Sequence, residues 1–156
     1  MFDENAHAGA VESYGELARY LIAAMETLGK ENALQIHEKA FEMQGAGIET
    51  MLRSMHPEVN LEELGKMFEE TLNSTGFESE SFMEDENTVI IRNTRCPRYD
   101  SFKMNGIDDE TIEEYCLRGV SVLDRYFKKV DPSLEFTVPV WDAPNGRCDE
   151  KIYRTR

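Results

Sequence analysis

The stretch Thr94-Arg95-Cys96-Pro97-Arg98-Tyr99-Asp100 concentrates the groups best suited to covalent chemistry. Arg92, Arg95 and Arg98 fall between Thr88 and Tyr99 with no acidic residue among them, a positive spot in a chain whose formal charge is −14. Pro97 pushes Cys96 toward an extended backbone and itself suits the first position of a helix, which would set the thiol at a helix N-terminus. Partial positive charge there, with guanidinium groups alongside, lowers a thiol's pKa and favours the nucleophilic thiolate. Cys96 is the candidate nucleophile. Arg95 and Arg98 offer forked donors that match a carboxylate, and Asp100 is a candidate proton carrier.

His37 is a second candidate for moving protons. It occupies the apolar stripe of a helix with Gln44 two turns further on, and a buried imidazole needs a hydrogen-bond partner, whether backbone or bound ligand. Cys116 lies on the apolar stripe of a later helix and Cys148 opens the last strand. By periodicity both serve as plain core residues, but both can equally complete a substrate pocket with Cys96. An odd number of cysteines so far apart fits neither a disulfide framework nor the CxxC pairs of a structural zinc site, so neither a metal nor another cofactor is expected. Gly-rich phosphate loops, GxSxG, HExxH and EF-hand patterns are all missing from the sequence. His7 falls in residues 1–12, read as a flexible terminus, and His56 precedes a proline in a loop; neither is assigned a role.

The elements that must hold these residues follow from periodicity. Tyr14, Leu17, Ala18, Leu21, Ile22, Met25 and Leu28 recur at helical spacing, with Ser13 as N-cap and Gly29 as the C-terminal glycine. A second helix from Glu31 carries Ala33, His37, Phe41, Ile48, Met51 and Met55, with Gly45 and Gly47 placed to kink or split it and Pro57 to end it. Asn60 caps a third helix that stops at Asn73 and Gly76. The period then changes to two. Phe77 to Met83 and Thr88 to Asn93 read as a hairpin, and Leu134 to Trp141 with Cys148 to Tyr153 as another. Between them a long helix opens at Asp108 or Asp109 and closes at Asp131-Pro132. The prediction is an α+β fold over residues 13–156, one domain in which N-terminal helices and a long helix pack on an antiparallel sheet of two hairpins.

An apolar content of 40% with 10% aromatics supplies a core, so the acidic excess reads as a solvated surface. That surface repels phosphate backbones and anionic lipid, which argues against nucleic-acid and membrane partners. The start MFDENAHAGAVES lacks a basic segment followed by an apolar one, and separate free thiols suit a reducing compartment; the expected location is the cytoplasm. Whether the chain forms a homo-oligomer is left open by its composition.

With these residues in place, Glu86 to Ile152 resembles the L-2-amino-thiazoline-4-carboxylic acid hydrolase family. The likeness lies in a strand leading into Arg95-Cys96-Pro97, a long helix bearing Cys116, and the closing Gly146-Arg147-Cys148-Asp149. The chain departs from the family in carrying Glu150 where members have an aromatic residue. The Gly-to-Cys ending is also similar to 4-vinyl-reductase-type hydrocarbon-binding domains, although Val140 and Trp141 stand where their sensor relatives place a zinc-ligand cysteine. The first resemblance implies hydrolytic ring opening of a cyclic, amidine-like carboxylate. On that reading Cys96 attacks the ring carbon, Arg95 and Arg98 hold the carboxylate, and His37 or Asp100 moves protons as the ring sulfur leaves. The competing expectation is a non-catalytic, sensor-like domain with an apolar pocket between the second and the long helix, lined by Phe41, Met51, Leu123 and Phe127. A third is a structural subunit.

Overall fold

The first helix of the computed structural model, which describes residues 2–55 and 59–155, begins far ahead of Ser13. It runs Glu4–Leu28 (α1), capped by Asp3, whose carboxylate accepts the backbone N–H groups of Asn5 and Ala6 at 2.9 and 3.0 Å. Part of the expected flexible terminus is therefore helix, and His7 is its anchor. His7 is 4% exposed, with Nδ1 at 2.6 Å from the Gly76 carbonyl and Nε2 at 2.8 Å from Asp100. Period alone missed this turn because Asn5, Ala6, His7 and Gly9 make no apolar stripe.

Gly29 alone joins α1 to α2 (Lys30–Ser54), at φ +82, a conformation that glycine adopts without strain. Gly45 and Gly47 do not split α2, which is continuous through both. Gly45 instead lets the helix lie directly against the Tyr126 ring, where any Cβ would overlap it. His56 and Pro57, the latter expected to end this helix, lie outside the described residues. α3 (Leu61–Ser74) starts as read, with Asn60 accepting from the N–H groups of Glu62 and Glu63.

The remaining elements are β1 (Glu78–Asp85), β2 (Thr88–Arg95), the short α4 (Pro97–Met104), α5 (Asp109–Val130), β3 (Leu134–Asp142), a 3-10 turn over Ala143–Asn145, and β4 (Arg147–Arg154). The strands form one antiparallel sheet in the order β1-β2-β4-β3, two hairpins joined at its centre by β2 and β4. Five helices and four antiparallel strands make a single α+β domain among the described residues. No helix among them is long and apolar enough to cross a membrane.

The apolar side chains collect in two clusters. One, with Leu52, Leu64, Ile91, Phe127 and Ile152, glues α2, α3 and α5 to the sheet. The other, with Ala18, Leu34, Phe102, Ile112 and Tyr115, holds α1, α2, α4 and α5 together. Space remains between them, and the site lies there.

Candidate functional site

Strand alternation decides which polar groups face that space. On β4 the side chains of Cys148, Glu150 and Ile152 share one face, and Ile152 is wholly buried in the core, so the face points inward. On β2 Asn93 pairs with Cys148 and points the same way. In β3 the register slips by one residue between Thr137 and Val140, around Pro139, which cannot donate to the ladder. The slip turns Trp141 rather than Val140 to the inner face, opposite Cys148.

The helices close the space from the other side. Cys96 caps α4 with an extended backbone, as its neighbour Pro97 dictates, and its sulfur accepts the Tyr99 N–H at 3.4 Å. Arg98 follows within the first turn and points inward. Cys116 reaches in from α5. The result is a cavity of about 260 Å³, just below the ~300–1,000 Å³ of drug-sized ligand sites. Most of its wall is apolar, built from α2, α3, α5 and β3, while Cys96, Cys116, Cys148, Asn93, Arg98 and Glu150 supply its polar groups. Gln44 and Thr71 line it and are also exposed, marking where it meets solvent.

Two of these groups are electrically out of the ordinary. Arg98 rests over the Tyr14 ring, 5.3 Å from its centroid, and near Phe41, at 6.0 Å. Its Nε is buried without a hydrogen-bond partner, and among the described residues no carboxylate stands within ion-pair distance. It is a guanidinium enclosed in protein and aimed into the cavity. Glu150, the only carboxylate on the wall among the described residues, accepts from Asn93 Nδ2 at 3.3 Å, and Asn93 is itself oriented by a hydrogen bond from Ser79 Oγ at 2.5 Å. Burial pushes the Glu150 carboxyl up to about 7, against the pull of Arg98 and Asn93.

The thiols behave in the opposite way to the sequence expectation. Burial raises Cys96 above an ordinary thiol, outweighing Arg98 and the backbone donors of α4. It raises Cys116 to about 12, and raises Cys148 with the Glu150 charge adding to the effect. The helix terminus is present as expected. What sequence could not weigh is how completely the packed helices desolvate the sulfur. A neutral thiol reagent at pH 8 should therefore modify the folded chain slowly: for Cys116 the rise to about 12 leaves a thiolate fraction about a thousandfold smaller than in an exposed cysteine. Rapid modification of any of the three before denaturant is added would contradict the enclosed site.

The structure thus gathers Cys96, Arg98, Cys116 and Cys148, and leaves out the other three candidates. Arg95 faces outward, paired with Glu4 at 2.9 Å and set over Phe2. Asp100 is taken by His7, behind α4. His37 is off the cavity wall, stacked on Tyr115 with ring centroids 3.4 Å apart and 3.2 Å from the Tyr115 carbonyl. Burial, aided by the charges of Arg98 and Arg118, pulls its imidazole down to about 4 against that hydrogen bond. Of the expected apolar pocket, Phe41, Met51 and Leu123 line the cavity, whereas Phe127 is core, stacked on Phe136. Sequence reasoning missed Glu150 and Asn93. Their signal was a polar residue two positions from a buried one in a strand, on the face meant for the core.

Among the described residues no three His, Cys, Asp or Glu side chains are grouped to hold a metal ion. A scan against protein-family models finds no match to this chain, and a search of curated proteins finds none either.

Proposed function

We propose that this chain takes a small carboxylate-bearing molecule into the cavity and hydrolyses it, with ring opening of a thiazoline-type carboxylate as the reaction class. The observation that carries the reading is Arg98, an enclosed guanidinium with no carboxylate at ion-pair distance among the described residues. An unpaired buried charge is costly, and a ligand carboxylate would satisfy it with forked hydrogen bonds. Glu150 replaces His37 and Asp100 as the proton carrier, since a carboxyl near 7 is matched to acid–base work at neutral pH. Glu150 in its acid form gives its proton to the ring nitrogen as water adds to the amidine carbon, and takes one back from that water. The carbon–sulfur bond then breaks: Glu150 protonates the departing sulfur and recovers the proton of the new hydroxyl as it becomes the carbonyl, leaving a ureido thiol. The three neutral thiols shape the wall, and Cys96 is no longer required as nucleophile. Free thiols at a working site are best kept in a reducing compartment, which supports a cytoplasmic location.

The mostly apolar wall favours a second reading, non-catalytic binding of a carboxylate with an apolar body. One experiment separates them. The protein is incubated with L-2-amino-thiazoline-4-carboxylate, and product thiol is followed with a chromogenic thiol reagent. Turnover that falls about a hundredfold or more in Glu150→Gln supports the hydrolase. Binding without turnover supports the second reading, and neither outcome leaves Arg98 without a ligand. Failure to bind any carboxylate sinks both.

A further inference from the structure

We propose that the cavity takes up one proton with each carboxylate it binds: the ligand's carboxylate occupies Arg98, and Glu150 changes from carboxylate to carboxylic acid. This rests on the reading that Arg98 is the carboxylate anchor, but it adds a coupling that the anchor alone does not require.

Among the described residues Arg98 is the only cation on the cavity wall and Glu150 the only carboxylate. They do not touch, being too far apart for an ion pair, so each charge is eased by the other only at longer range. A ligand carboxylate removes both reliefs. It engages the guanidinium at close range and sets a second negative charge near Glu150 in a low-dielectric space. Two carboxylates sharing one cation at unequal distances cannot both stay ionised in such surroundings, and the one without hydrogen-bonded positive charge accepts the proton.

No other group facing Glu150 takes the proton instead. β2 presents Asn93, which is neutral and has its amide oriented by Ser79. α4 presents Cys96, Arg98 and Tyr99, α5 presents Cys116, and β4 presents Cys148, all thiols being held protonated by burial. Tyr99 spends its hydroxyl on Asp109 at 3.0 Å. From α2, α3 and β3 the polar lining residues are Gln44, Thr71 and Trp141, which do not titrate. His37 is off the wall and held neutral. Asp149, next in sequence, faces the opposite side of the sheet, clamped by Arg92 and Arg147.

The test is titration calorimetry of the full chain with octanoate and with 1-octanol, from pH 6 to 9, in buffers of contrasting ionisation heat. Octanoate is fully ionised over that range, so it brings no proton of its own. The expected result is a buffer-dependent heat that reports uptake of close to one proton at pH 8, and a Kd that weakens about tenfold per pH unit above 7. Octanol should bind without either effect. Glu150→Gln should bind octanoate with a flat pH profile. Octanoate binding with no proton uptake at pH 8, or a slope that persists in Glu150→Gln, overturns the coupling while leaving the Arg98 anchor intact. Octanoate failing to bind at any pH overturns the coupling and the anchor together.

Discussion

Arg98→Met weakens octanoate binding by about a hundredfold or more and, in the same protein, raises the stability of the empty chain. The first effect follows from removing charge-assisted, forked hydrogen bonds from an enclosed site, which costs about 2–5 kcal/mol. The second follows because a buried charge without a partner is a burden on the folded state. Replacing such groups with well-packed apolar ones is often stabilising by about 1–4 kcal/mol. Methionine also keeps much of the contact that the arginine stem makes with Tyr14 and Phe41. Arg98→Lys should recover only part of the affinity, since the ammonium keeps the charge but loses the fork. Calorimetry and urea denaturation read both quantities. A variant that loses stability along with binding would show the guanidinium to be a structural member, and one that binds octanoate normally would remove it from the site.

The pH dependence of stability separates Glu150 from His37, because the two act with opposite sign over an overlapping range. The folded state raises Glu150 from 4.5 to about 7, so its contribution is fully present below 4.5 and is lost as pH rises toward 7. The folded state lowers His37 from 6.5 to about 4, so its contribution is present above 6.5 and is lost as pH falls toward 4. Each amounts to roughly 3 kcal/mol over its full range, and between 4.5 and 6.5 the two slopes cancel. Urea titrations of single variants should expose them. Glu150→Gln should gain about 3 kcal/mol over the parent at pH 8 and close to nothing at pH 4, where His37→Gln should show its own gain. A Glu150→Gln difference that does not vary with pH would mean that the carboxyl is solvated and unfit for proton transfer at pH 7.

Much of this architecture is legible in the sequence wherever a local rule decides it. Asn60 caps α3, Asp108 accepts the Thr111 N–H to start α5, and both hairpins lie within a few residues of their expected limits, since caps, turns and periods are short-range matters. The wall of the site is only half legible for the same reason. Cys96 and Arg98 stand out by composition, and the pocket does draw on α2 and α5. Yet whether a side chain near the junction of β2 and α4 turns inward, as Arg98 does, or outward, as Arg95 and Asp100 do, depends on α1 and its docked first turn. That turn meets the rest of the chain through His7, Gly76 and Asp100, which are far apart in sequence. Cys96 shows the limit most sharply: its helix terminus is a local feature, while the desolvation that overrides it comes from elements packed around it. Glu150 was legible in principle, by alternation with Cys148 and Ile152, but a single acidic residue in an acidic chain carries little contrast.

The central pairing of β2 with β4 has a kinetic consequence. Each hairpin closes over a tight turn and forms quickly, but Arg92 and Asp149, which clamp the two hairpins together, are 57 residues apart in sequence. Asn93 and Glu150 meet only when that long closure is made, so the acid–base end of the cavity is assembled by the most non-local step in forming the sheet. Variants that weaken the Arg92–Asp149 clamp should slow the appearance of ligand binding during refolding more than they slow the appearance of helix.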